Sequence, residues 1–110
     1  MLVKWRDTAR QALDEVLSYG MDCFGVHAAK RLLRDIYEYE KLLADNPRMG
    51  CLEPALADLP DGYRSVVVHS HYKLIYRVDE VQERVIILAL WDTRRDPGQL
   101  KNVLTAAADF

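Results

Sequence analysis

Residues 71–97 read HYKLIYRVDEVQERVIILALWDTRRDP. The first part alternates, which places Tyr72, Leu74, Tyr76 and Val78 on one face of a strand and Lys73, Ile75 and Arg77 on the other. ERVIILALW is apolar on both faces, as expected for a central strand covered from two sides. The DEVQE linker is short enough to join the two as an antiparallel hairpin. This hairpin predicts a sheet with its most apolar strand in the middle. That strand ends in Trp91, Asp92 and the paired Arg94 and Arg95. Alternation alone leaves open whether the arginines form a site or a polar exit from a buried strand.

Working outward, YRSVVVHS (63–70) is rich in β-branched residues and reads as another strand. RMGCLEPALADLPDG (48–62) carries several turn formers and reads as an irregular connection. Before it, Ala29, Leu32, Leu33, Ile36 and Leu43 recur at helical spacing between about Val26 and Asp45, and Asn46-Pro47 ends the pattern. An earlier helix is predicted from Asp7 or Thr8 as cap, through Ala9, Leu13, Val16 and Leu17, to a stop at Gly20. LVKW at the start reads as a short strand. After Asp96-Pro97, Leu100, Val103, Leu104 and Ala107 make a narrow apolar stripe, a helical extension over 98–110. The expected fold is α+β and spans 1–110 as a single domain. A short N-terminal strand and an antiparallel helical hairpin pack on one face of a small antiparallel sheet, with a short C-terminal helix.

Composition narrows the function. The chain has 110 residues, 50% hydrophobic and 29% charged, enough for one core. No apolar run approaches the roughly 20 residues that span a bilayer. The opening MLVKWRDTAR lacks the apolar stretch and cleavage site of a signal peptide, so a cytoplasmic location without membrane association is expected. Cys23 and Cys51 follow no metal-ligand spacing and are expected as reduced, partly buried thiols. A net charge of −2 and a pI near 5.9 argue against a general nucleic-acid binder.

The candidate chemistry is equally restricted. His69 and His71 at i and i+2 can face one metal ion, but no third ligand stands nearby, so no metal site is expected. There is no nucleophile elbow, phosphate loop or dinucleotide fingerprint, and no cofactor is expected. What remains is basic. Arg64, Lys73, Arg77, Arg94 and Arg95 fall in or beside the strands; Lys73 and Arg77 are expected on an open sheet face opposite the helices, with Arg94 and Arg95 bordering it. Such a cluster suits a phosphate backbone or an acidic protein segment, or else a solvated face whose charges limit edge pairing.

In order, LLADNPRMG, LPDGYRSVVV, HYKLIYRV and the apolar strand running into RRDP resemble the RelE/ParE superfamily of toxins from bacterial type II toxin–antitoxin modules, from about Lys4 to Pro97. The resemblance implies a compact toxin neutralised by a cognate antitoxin whose C-terminal segment wraps it, as a homodimer or a toxin–antitoxin heterotetramer. The spellings NPRMG, HYKLIYRV and RRD are closer to the ParE branch, the plasmid-stabilisation proteins whose characterised members poison DNA gyrase. That branch implies target binding through Arg94 and Arg95, with no bond broken by this chain. The alternative is a RelE-like ribosome-dependent mRNA endonuclease, in which Lys73, Arg77 and Arg95 would carry the chemistry. DPGQL, however, lacks the Tyr or His such enzymes place there to move a proton. A third alternative is a non-toxic protein-binding member.

Overall fold

The seven apolar residues Val85–Trp91 lie in β5 (Arg84–Asp92), where all seven are buried. β5 sits between β1 (Leu2–Trp5) and β4 (Tyr72–Asp79) in a five-stranded sheet of order β1-β5-β4-β3-β2, with β3 at Arg64–His69 and β2 at Cys51–Leu52. The computed structural model describes residues 1–106. Ala107 and the rest of the expected extension lie outside them. β2 to β5 pair antiparallel, whereas β1 runs parallel to β5, so the sheet is mixed.

One sheet face packs on α1 (Asp7–Phe24) and α2 (Val26–Asp45), as the amphipathic stripes predict. Ala9, Leu13, Leu32, Ile36 and Leu43 meet Leu74, Tyr76, Val85, Ile87 and Leu90. The register of β4 with β5 shifts between Ile75, opposite Ala89, and Tyr76, opposite Ile87. Leu88 is the extra residue of this β-bulge, so Leu88 and Ala89 both turn away from the helices and Leu90 returns to them. The bulge thus delivers Trp91 to the far face.

That far face is not open, which corrects the sequence-based expectation. The 3₁₀ turn Pro54–Leu56 and the C-terminal helix α3 (Leu100–Ala106) cover it, burying Leu56, Leu100 and Leu104 against Ile75, Ile86, Leu88 and Trp91. Arg6, 7% exposed, reaches α3, where its Nη2 donates to the Leu104 carbonyl at 3.4 Å. A sheet that is apolar on both faces needs two covers, and here the chain supplies both.

Three local expectations change. Gly20 does not end the first helix; tertiary packing carries the helix on at a cost of about 1 kcal/mol for a mid-helix glycine, and Gly25, at φ 90°, makes the reversal instead. The helix starts at Asp7 itself, with Arg6 at the cap position and no side-chain cap. Both cysteines are exposed: Cys23 lies in the last turn of α1, beyond the core, and Cys51 on the edge strand β2. At the other end, Asp96 caps the turn Pro97–Gln99, accepting from the Gly98 N–H at 3.0 Å.

Candidate functional site

The arginine pair stands where β5 leaves the sheet. The Thr93 N–H donates to the His71 carbonyl at 2.8 Å, which extends pairing one residue past the strand, and the Arg95 N–H closes a turn on the Asp92 carbonyl at 3.1 Å. Within that turn the Asp92 carboxylate collects Arg94. It accepts from the Arg94 backbone N–H at 2.9 Å, from Nε at 3.1 Å and from Nη2 at 2.8 Å. Hydrogen bonding from Arg94 holds the Asp92 carboxyl down to about 2, against a smaller upward push from burial. The same contact raises Arg94, whose charge also faces the phenols of Tyr72 and Tyr19 on the helix side.

Arg95 goes the other way. Its guanidinium lies over the Trp91 ring, 4.4 Å from the centroid, and Trp91 is 2% exposed in the far-face core. The indole braces the cation against the fold, in a contact worth about 0.5–1 kcal/mol at an exposed site. Adjacent in sequence, the two arginines therefore serve opposite faces.

Lys73 pairs with Trp91 across the β4–β5 ladder, so it shares Arg95's face. Its ammonium donates to Glu53, a carboxylate only 3% exposed. Burial pushes the Glu53 carboxyl up, but hydrogen bonds from Lys73, the Ala55 N–H and Ser65 outweigh it, and the net shift is downward. Arg77 projects from the same face further along β4, where its charge faces Tyr63 and Asp79. Burial and the neighbouring Asp61 raise the Tyr63 hydroxyl, which keeps it protonated near neutral pH.

Arg64 lies elsewhere. It pairs with Tyr76, a helix-side residue, and its Nη1 donates to the Gly50 carbonyl at 2.7 Å, bracing the exit from α2. The five cations thus divide: Lys73, Arg77 and Arg95 share the far face, while Arg64 and Arg94 stand at opposite ends of the helix side. The two histidines do not converge either. The β3–β4 register shifts between Val67 and His69, and Ser70 sits at φ 49°. His69 Nδ1 meets Asp35 Oδ2 at 2.7 Å, whereas His71 Nε2 stands 3.9 Å from Asp92. Among the described residues no group of three His, Cys, Asp or Glu side chains is placed to hold a metal.

Sequence reasoning missed Glu53 and the face-to-face split of the arginines. An acid directly before Pro54 was the available signal, because Glu53 caps that turn, accepting from the Ala55 N–H at 3.0 Å. Nothing local indicated that this carboxylate would reach Lys73.

Residues 3–97 match the model of a family described as the ParE toxin of the parDE type II toxin–antitoxin system. A solved structure described as a chromosomal ParDE system from P. aeruginosa resembles the fold at a TM-score of 0.65 and 22% identity, covering 82% of this chain and 92% of that one. No curated protein matches.

Proposed function

This chain belongs to the ParE toxin family of type II toxin–antitoxin systems, and on that premise we propose that it arrests growth by binding a target such as DNA gyrase. The observation carrying this reading is the exit of β5, where two cations are held ready by different means. Asp92 orients Arg94, whose side chain remains 66% exposed, and Trp91 carries Arg95. Preorganised guanidinium groups suit recognition of carboxylate or phosphate, because little side-chain entropy is left to lose on contact. Arg94 and Arg95 are the target contacts in this proposal. Lys73 and Arg64, engaged by Glu53 and by the Gly50 carbonyl, chiefly support the sheet.

A cognate antitoxin neutralises the toxin. Tyr37, Leu42 and Met49 remain exposed along α2 and its exit, beside Lys41 and Arg48. That mixture fits an acidic amphipathic segment laid against the hairpin. Residues 1–110 act as one domain in the cytoplasm; no described helix is long and apolar enough to cross a membrane.

Purified protein incubated with gyrase and supercoiled plasmid tests the target. Inhibited supercoiling or trapped cleavage complexes are expected, and an unaffected gyrase overturns the proposal. The endonuclease reading draws on one observation, that Lys73, Arg77 and Arg95 share a face with Tyr63. Codon-dependent cuts in a translating extract, abolished by Arg95→Ala, would establish it instead.

A further inference from the structure

A cavity of about 360 Å³ opens between the tip of the helical hairpin and the β3–β4 turn. This volume falls within the roughly 300–1,000 Å³ typical of small-molecule sites. Its floor is apolar, built from Val16, Ala28, Ala29 and Leu32. Tyr19 and Phe24 stand at its mouth in an edge-to-face pair, ring centroids 6.3 Å apart, and are 59% and 71% exposed. Exposed apolar surface that is contiguous with a concave apolar wall is characteristic of ligand-binding grooves.

The fixed charges in the lining, both guanidinium groups, have one sign. Among the described residues, Arg31 and Arg94 line the cavity together with His69 and His71, and no carboxylate does. The neighbouring acids are already engaged, Asp35 by His69 and Asp92 by Arg94. Arg31 has no hydrogen-bond or ion-pair partner among the described residues. Arg94 uses its backbone N–H, Nε and Nη2 on Asp92, which leaves Nη1 available.

We propose that this cavity binds a small aromatic carboxylate, its ring seated between Phe24, Tyr19 and Leu32 and its carboxylate facing Arg31 and Arg94. An uncharged ligand would use only half of the site and leave the cations unanswered, while an inorganic anion would leave the apolar floor wet. The exposed rings of Tyr19 and Phe24 favour an aromatic group between them. The site does not depend on the toxin reading, since it rests on shape and charge alone.

The test is a titration of the isotope-labelled full chain, read by amide NMR, with 3-phenylpropionate and the uncharged 3-phenylpropionamide. The acid is expected to saturate on the order of 1 mM, as befits a ligand of this size, with shifts confined to amides around Val16, Phe24, Leu32 and Tyr72. The amide should bind at least about tenfold more weakly, losing the charge of both contacts. Arg31→Gln, an exposed position, should remove one of the two cations and narrow the gap between acid and amide by at least about half on a logarithmic scale. Ala28→Leu should fill the floor and abolish saturation while circular dichroism shows the native fold. Equal binding of acid and amide, shifts scattered over other surfaces, or no saturation at all would each overturn the proposal.

Discussion

Asp92 and Arg94 lock each other at the exit of β5 through one backbone and two guanidinium donors, all within 3.1 Å. The contact also sets a pH dependence. The carboxyl sits at about 2 in the fold, below the ~3.9 of an unfolded aspartate. A depressed folded pKa contributes stability that is fully present above about pH 4 and is lost as pH falls toward 2. Because Arg94 is mostly in water, solvent screening limits the contribution to about 1 kcal/mol. Asp92→Asn should lower stability by that amount at pH 7, and the difference from the native chain should vanish near pH 2. Urea unfolding at several pH values checks it.

The Glu53–Lys73 pair should respond asymmetrically. Lys73→Met leaves a carboxylate buried without its cation, and removing one partner of a buried pair costs about 3–5 kcal/mol. The double variant Glu53→Gln/Lys73→Met removes the orphaned charge and should recover at least half of the loss. If the single and double variants prove equally unstable, Glu53 is not acting as a buried anion.

Gly50 should not tolerate a side chain. A Cβ there would stand 2.7 Å from both the Ser65 carbonyl and the Tyr76 hydroxyl, and relieving that overlap would also displace the Gly50 N–H bond to Tyr76, now 2.9 Å. Gly50→Ala is expected to cost about 2–3 kcal/mol, in the range of overpacked core substitutions. Tyr76→Phe leaves a buried N–H unpaired and should cost about 1–3 kcal/mol. Thermal denaturation of both variants is the measurement.

α3 should behave as part of the core. Leu100 is fully buried and Leu104 nearly so, so Leu100→Ala is expected to cost about 2–5 kcal/mol. Ending the chain at Pro97 should expose Ile86, Leu88 and Trp91 and produce binding of a hydrophobic dye. A truncated chain as stable and as silent toward the dye as the native one would refute this.

Arg95→Ala separates function from fold. Among the described residues only the cation–π contact with Trp91 is lost, so stability should fall by less than about 1 kcal/mol. Growth arrest on induction without antitoxin should nevertheless weaken, about tenfold or more in the inducer needed, because a preorganised contact is removed from the edge proposed to meet the target. Unaltered toxicity would move the target contact away from this residue.

The elements were largely legible in the sequence because each has a local cause. The period of two in 72–78, the two-sided apolar run to Trp91 and the stripe Ala29–Leu32–Ile36–Leu43 each declare an element and the face it buries. The site was legible only as a set of basic residues. Their spacing placed Lys73 and Arg77 on one face, which the structure has, but it also left that face open. The bulge at Leu88 cannot be read from a run in which every residue is apolar. Without the bulge, simple alternation gives no ground for sending Arg94 to the helix side and Arg95 onto Trp91.

What the sequence determined by itself is therefore the kind and order of the elements, set by side-chain periodicity and by prolines and glycines acting over a few residues. Only the tertiary structure decided which cations are free. Glu53 is 20 residues from Lys73 in the chain, and α3 closes on Arg6 from 98 residues away. Such pairings depend on where whole elements pack, and no local preference encodes that.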